Sequence, residues 1–246
     1  MAGHSKWANI KHRKGKADAK KGKIFSRIAK EIISAVKLGG PDPKANPRLR
    51  LALTNARESN VPNEIVERNI KKASSEDQAD FTEMTYELYG HGGVGIIAEV
   101  MTDNKNRISS DMRIATNKRG GVVASPGAVA FNFDRKGIIQ VPKAGVSEDE
   151  LFLASTEGGA EDFDSEDEEF FVVITDPMQL YAVKEAIIKA GFKCGEASLE
   201  MIPKTFIECD VETAQANLAL IEWIDQLDDV DAVYHNMTLP EELEQE

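Results

Sequence analysis

Ile138-Ile-Gln-Val141, Ser147-Glu-Asp-Glu-Leu151, Ala160-Glu-Asp-Phe163, Phe170-Phe-Val-Val-Ile-Thr175, Leu180-Tyr-Ala-Val183 and Ala197-Ser-Leu-Glu-Met-Ile202 follow one another in a single run. Ile138–Val141, Ala160–Phe163, Phe170–Thr175 and Ala197–Ile202 are short apolar segments of strand type. Ser147 caps a helix that runs to about Thr156, and Pro177 opens another through Leu180, Val183, Ile187 and Ile188. The order is therefore βαββαβ, the ferredoxin-like arrangement.

Outward from this run the pattern stays mixed. On its N-terminal side, Gly93–Met101 is a buried-type strand. Asp103-Asn104 caps a helix through Met112 and Ile114 to about Lys118, and Gly120-Gly121 ends it. Val129–Asp134 alternates, with Val129, Phe131 and Phe133 expected inward. On the C-terminal side, Thr205–Cys209 reads as a strand, Glu212–Leu227 as a helix and Asp231–His235 as a strand. These last elements lack partners of their own and can complete the sheet begun at Gly93. The ferredoxin-like unit is then an insertion.

The N-terminal third is helical. Ile24, Phe25, Ile28, Ile32, Ile33 and Val36 fall at helical spacing, and Gly39-Gly40-Pro41 stops them. Asn46-Pro47 caps a second helix with Leu49, Leu53 and Ala56 inward. Val61-Pro62-Asn63 opens a third with Ile65, Val66, Ile70 and Ala73 inward. Residues 1–22 carry no apolar periodicity and read as a flexible basic arm, helical at most around Lys16–Lys21. The fold class expected is α+β in three domains. The arm and bundle occupy 1–78, a middle α+β domain 79–135 plus 204–246, and the inserted ferredoxin-like domain 136–203.

Charge divides along the same line. The first thirty residues hold ten Lys or Arg against one acid, although the whole chain has a formal net charge of −12. Residues 1–72 carry 18 basic and 6 acidic side chains, the remainder 12 and 36. Keeping such a split in one chain points to a polyanionic partner, and clustered Lys and Arg suit nucleic-acid phosphates. Trp7 lies among the lysines of the arm, where stacking on a base would use it. The candidate contacts are Lys6, Trp7, Lys11, His12, Arg13, Lys14 and Lys16, with Lys20, Lys21, Lys23, Arg48, Arg50 and Arg57 behind them. No recognition helix of helix-turn-helix type can be identified, and a Gly/Lys arm with one aromatic suits folded RNA at least as well as DNA.

Other chemistry finds little support. Cys194 and Cys209 lack paired-thiol spacing and read as reduced thiols. No apolar run is long enough for a membrane span and no signal peptide opens the chain, so a cytoplasmic location is expected. Gly90-His-Gly-Gly-Val-Gly95 has the spacing of a dinucleotide fingerprint, but a strand follows where a helix is required. Asp162-Phe-Asp-Ser-Glu-Asp-Glu168 begins like a calcium loop, yet Asp167 stands where that loop needs glycine and Val173 where it needs glutamate. His4, His12, His91 and His235 form no catalytic or metal-ligand pattern. No enzyme activity, cofactor, metal or small-molecule substrate is expected.

The opening block, Ala2-Gly-His-Ser-Lys-Trp-Ala-Asn-Ile-Lys-His-Arg-Lys-Gly-Lys16, with Ala17-Asp18 and Lys23-Ile-Phe25 after it, closely resembles the signature of the YebC family. The resemblance continues at Gly39-Gly-Pro-Asp42, Val61-Pro-Asn63, Tyr86-Glu-Leu-Tyr-Gly90, Thr102-Asp-Asn-Lys-Asn-Arg107 and Asp167-Glu-Glu-Phe-Phe171, covering essentially the whole chain. It departs from the usual pattern at His91, Val123, Ala124 and Ala128, all in the middle domain. The resemblance implies a helical domain followed by an α+β domain with a ferredoxin-like insertion. In function it implies a non-enzymatic cytoplasmic regulator of gene expression, generally a DNA-binding transcriptional regulator. Some members of that family look like translation factors on the ribosome, so the resemblance implies DNA and/or RNA as the partner, with ribosomal RNA as the alternative.

Overall fold

The computed structural model describes residues 17–73, 81–195 and 197–244. Two compact units emerge. One runs through Pro126 and takes in Glu212–Val233; the other comprises Gly127–Val211 and the segment from Tyr234.

The first unit begins with three helices: α1 (Ala17–Gly39), α2 (Pro47–Glu58) and α3 (Asn63–Ala73). Ile28, Ile32, Ile33 and Val36 of α1 pack with Leu49, Ala52 and Ala56 of α2 and Ala73 of α3 in one buried cluster. Ile24, Phe25, Leu53, Ile65, Val66 and Ile70 pack against it, as the spacing predicts. Asn46 ties the first two helices together. Its carboxamide oxygen accepts from the Leu49 N–H at 3.0 Å, while its nitrogen donates to the carbonyls of Ala35 and Gly40 at 2.8 and 2.9 Å. One residue thus caps the start of α2 and satisfies carbonyls near the end of α1.

The same unit holds a sheet of β1 (Thr82–Tyr89), β2 (Gly95–Thr102), β3 (Val122–Val123) and β9 (Val230–His235), in the order β3-β1-β2-β9. β1 and β2 are antiparallel, with Thr82 opposite Thr102 and Tyr89 opposite Gly95. β2 is buried along nearly its whole length because it is central and apolar. α4 (Lys105–Arg119) follows it, capped by Asn104, whose side chain accepts from the Asn106 and Arg107 N–H groups. Ile108, Met112 and Ala115 are its buried side. β9 completes this sheet as expected.

In the second unit β4 (Phe133–Pro142), α5 (Glu148–Glu157), β5 (Asp162–Asp164), β6 (Phe170–Thr175), α6 (Leu180–Lys189) and β7 (Ala197–Pro203) follow the βαββαβ order. The strands lie in the order β5-β6-β4-β7, every pair antiparallel. Counted along this segment that is 2-3-1-4, the ferredoxin-like topology. Ile139 and Val141 cluster with Leu151 of α5 and Leu180, Val183 and Ile187 of α6, whereas Ile138 packs with Val172 in a separate cluster. A strand covered on both faces needs apolar residues at successive positions, hence Ile138-Ile139.

Four expectations need correction. α1 starts at Ala17, not Lys23, so Lys20, Lys21 and Lys23 belong to a helix. Val129–Asp134 is not a strand throughout: Ala130–Asn132 forms a single 3₁₀ turn, and Phe131 is 72% exposed instead of inward. The cause is Asn132, whose side chain grips Thr205: Oδ1 accepts from its Oγ1 at 2.8 Å and Nδ2 donates to its carbonyl at 3.0 Å. Thr205–Cys209 does not join the first sheet. Its β8 (Ile207–Glu208) instead pairs in parallel with β10 (Met237–Thr238). α6 begins at Leu180, after a turn in which Asp176 Oδ1 accepts from the Met178 N–H.

Candidate nucleic-acid interface

Lys6, Trp7, Lys11, His12, Arg13, Lys14 and Lys16 lie outside the described residues. Lys20 and Lys21 fall in the first turns of α1. The other candidates divide into cations with carboxylate partners inside the first unit and cations facing solvent.

Lys23 belongs to the first class. Its Nζ donates to the Asp225 carboxylate at 2.9 Å and to the Asp225 backbone carbonyl. Two turns along α1, Lys30 donates to the carbonyls of Asp228 at 2.7 Å and Met101 at 3.2 Å, with the Asp231 carboxylate 3.7 Å away. Burial pushes Asp231 up to about 6, outweighing the pull of Lys30 and Arg27. Glu31 is raised for the same reason, although Arg27 and Arg48 oppose it. Arg48 pairs with Glu83 of β1.

Beyond these, Arg107 closes on Asp229. Its guanidinium reaches both carboxylate oxygens at 2.7–2.9 Å and also Asp103 at 2.8 Å. Hydrogen bonds to Asp229 and then Asp103 hold the guanidinium above its ordinary basicity. Asp229, which is buried, accepts from Thr102 Oγ1 as well, at 2.9 Å. The acidic run Asp225-Gln-Leu-Asp-Asp-Val-Asp231 therefore neutralises cations from α1 and α4.

Arg50 and Arg57 behave differently. They sit seven residues apart on one exposed side of α2, with Arg68 and Lys71 exposed on α3. None of the four makes an ion pair among the described residues. A row of free cations on helix faces can meet successive phosphates. Sequence reasoning places helix α4 but omits the cations it exposes, Arg113, Lys118 and Arg119, from the candidates. The signal was present, since Lys105–Arg119 holds five cations and one acid in an acidic chain.

The two discounted motifs are local structure. Gly90–Gly95 turns directly into β2. In the acidic run, Asp167 Oδ1 accepts from the N–H groups of Glu169 and Phe170, and Asp164 Oδ1 from that of Glu166. Among the described residues no group of His, Cys, Asp and Glu could hold a metal ion. No described helix is long and apolar enough to cross a membrane. Burial, with Asp210 adding to it, raises the Cys209 thiol, the opposite of a reactive cysteine.

Two family models match. One, described as the TACO1/YebC protein N-terminal domain, covers residues 5–76; the other, the TACO1/YebC second and third domain, covers 81–237. A probable transcriptional regulatory protein of Protochlamydia amoebophila is 74% identical over the full length of both chains. One of Chlamydia trachomatis is 60% identical, over 96% of this chain and 100% of its own. A conserved hypothetical protein of Aquifex aeolicus, known from its crystal structure, superposes with a TM-score of 0.85 at 43% identity, over 96% of this chain and 98% of that one.

Proposed function

We propose that this chain, which belongs to the TACO1/YebC family, regulates gene expression by binding nucleic acid through its N-terminal basic run and the free cations of its helical bundle, without catalysing a reaction. The observation that carries the reading is the exposure of Arg50, Arg57, Arg68 and Lys71, unpaired among the described residues, while Lys23, Lys30, Arg48 and Arg107 have carboxylate partners. An acidic protein that leaves one set of cations unpaired on adjoining helices presents a localised surface for phosphate. The regulator names of the relatives support this reading. A cytoplasmic location and the three-domain division at 1–78, 79–135 plus 204–246, and 136–203 belong to the same proposal.

The proposed target is DNA near a promoter. Arg and Lys contacts read charge and not sequence, so a target recognised by its folded backbone, such as ribosomal RNA, fits these helices equally well. One experiment separates the two. Deletion of residues 2–16 removes the basic run and leaves α1 intact, and it should abolish binding with the thermal melt unchanged. Binding of the full chain to promoter fragments should exceed binding to random duplex by roughly 10³-fold if transcription is the role. Co-sedimentation with ribosomes together with equal, weak binding to all duplexes identifies the RNA target. A full chain that binds neither class overturns the proposal.

A further inference from the structure

Two double-glycine loops of the first unit interlock beside a guanidinium lying on an indole. Asn217, fully buried on α7 (Val211–Asp225), clamps the first loop: its Oδ1 accepts from the His91 N–H at 2.8 Å and its Nδ2 donates to the His91 carbonyl at 3.1 Å. The His91 ring in turn meets the Arg119 carbonyl through Nε2 at 2.8 Å. Only glycine fits position 120, where φ is 76° and a Cβ would lie 2.4 Å from the His91 ring. At Gly121, with φ of 103°, a Cβ would lie 2.9 Å from the Tyr89 carbonyl and from Leu220. The loops therefore fix the end of α4 and whatever it carries.

What it carries is Arg119, whose guanidinium carbon stands 5.2 Å from the centroid of the Trp223 ring. A guanidinium stacked on one aromatic face keeps a second planar face, and Arg119 is exposed. Lys118 precedes it, Arg113 is exposed on the same helix, and Tyr89 is 41% exposed where β1 meets β3, opposite Val122. Cations interleaved with aromatic rings, beside glycines that allow close backbone approach, match the chemistry of unpaired nucleotides. Bases stack on the rings and phosphates meet the charges. A duplex would leave the rings unused, because its bases already stack on one another.

Building on the proposal above that the chain binds nucleic acid, we propose that this corner is a platform for an unpaired stretch of nucleic acid. A base stacks on the Arg119–Trp223 pair, and a flanking phosphate meets Lys118. Single-stranded RNA and DNA share this chemistry. The glycine motif at 90–95 has its role here, as the clamp that positions Arg119 and not as a phosphate loop.

The test uses the full chain with three fluorescein-labelled probes: a 12-nucleotide RNA, the DNA of the same sequence, and the 12-base-pair duplex. Fluorescence anisotropy is followed across a salt series. Arg119→Ala should weaken single-strand binding about five-fold or more and change duplex binding less than about two-fold. Arg119→Lys keeps the charge and loses the plane, so affinity should fall with the salt slope kept. Lys118→Ala should reduce that slope by about 0.7. Ultraviolet crosslinking of the RNA should place adducts on peptides containing Trp223 or Tyr89. Preference of RNA over DNA, or its lack, identifies the source of the strand, and either result supports the platform. Unchanged single-strand affinity in these variants, with crosslinks only elsewhere, overturns the platform and leaves nucleic-acid binding standing. Equal losses on strand and duplex overturn it as well, making the corner a plain phosphate site. Failure of the unaltered chain to bind either single strand also overturns the platform, whereas the wider reading falls only if promoter fragments and ribosomes fail as well.

Discussion

Lys23 and Lys30 of α1 and Arg50 and Arg57 of α2 belong to one helical bundle and carry the same formal charge, yet their surroundings are opposite. The two lysines are held by Asp225, Asp231 and the carbonyls of Asp228 and Met101. The two arginines face solvent. Charge counting treats all four as equivalent. The structure shows that part of the N-terminal positive charge holds the bundle against the Asp225–Asp231 run, and part faces solvent without a carboxylate partner among the described residues. The comparison teaches that the number of available cations is set by which carboxylates fold back onto them.

The sharpest way to break this division is to remove a carboxylate from the paired side. Asp229→Ala should be the largest effect. It deletes the carboxylate that holds the Arg107 guanidinium and Thr102 Oγ1 together, leaving Arg107 with Asp103 alone and Thr102 Oγ1 with the Asn104 carbonyl. The lost charge-assisted hydrogen bonds should cost roughly 3 kcal/mol in denaturant unfolding, with nucleic-acid affinity per folded molecule unchanged. A fall in affinity without a loss of stability would show that Arg107 serves the ligand and not the fold.

Asp231 gives the next largest effect. Its folded pKa of about 6 lies above the ordinary 3.8, so the folded chain holds the proton more tightly than the unfolded one. The stability this contributes is complete below about 3.8 and is lost as pH rises through about 6. A shift of this size corresponds to something on the order of 3 kcal/mol. Asp231→Asn should remove that pH-dependent step from the difference between the two proteins. Lys30 keeps the carbonyls of Asp228 and Met101, so the variant should be no less stable than the parent at pH 7.5. Unfolding curves between pH 4 and 8 decide the matter. Identical pH dependence of the two proteins would mean that Asp231 titrates normally.

The legible parts of the fold were those with local signals. Asn46-Pro47, the 24–36 spacing and the βαββαβ run each state their structure within about a dozen residues. β1 carries no strand signal of its own, because Thr82-Glu-Met-Thr-Tyr-Glu-Leu-Tyr89 places Glu83 and Glu87 in the strand and buries only Glu87 and Leu88. β3 has two residues, too few to show a period. Phe131 was expected inward from alternation alone, but the Asn132–Thr205 contact, 73 residues apart, decides that backbone. The site was less legible still. Lys23 finds Asp225 202 residues away, and no local pattern separates such a lysine from Arg50. Arg119 is similar, because its indole at Trp223 comes after the whole of Gly127–Val211 in the chain.

The smallest effect is the most discriminating one. Lys23 and Asp225 are 27% and 41% exposed at their side chains, so Lys23→Ala should cost less than about 1 kcal/mol of stability. If its charge is already satisfied by Asp225, the salt dependence of duplex binding should not change either, because no phosphate contact is removed. Arg50→Ala and Arg57→Ala should also leave the melt unchanged, yet each should lower the slope of log affinity against log salt by about 0.9. The three variants differ by one side chain each, and all should fold, which makes the slopes directly comparable. A Lys23→Ala slope reduced as much as that of Arg50→Ala would mean that phosphate displaces Asp225 on binding. Lys23 would then belong with the free cations, and the division drawn from the unliganded chain would describe only that state.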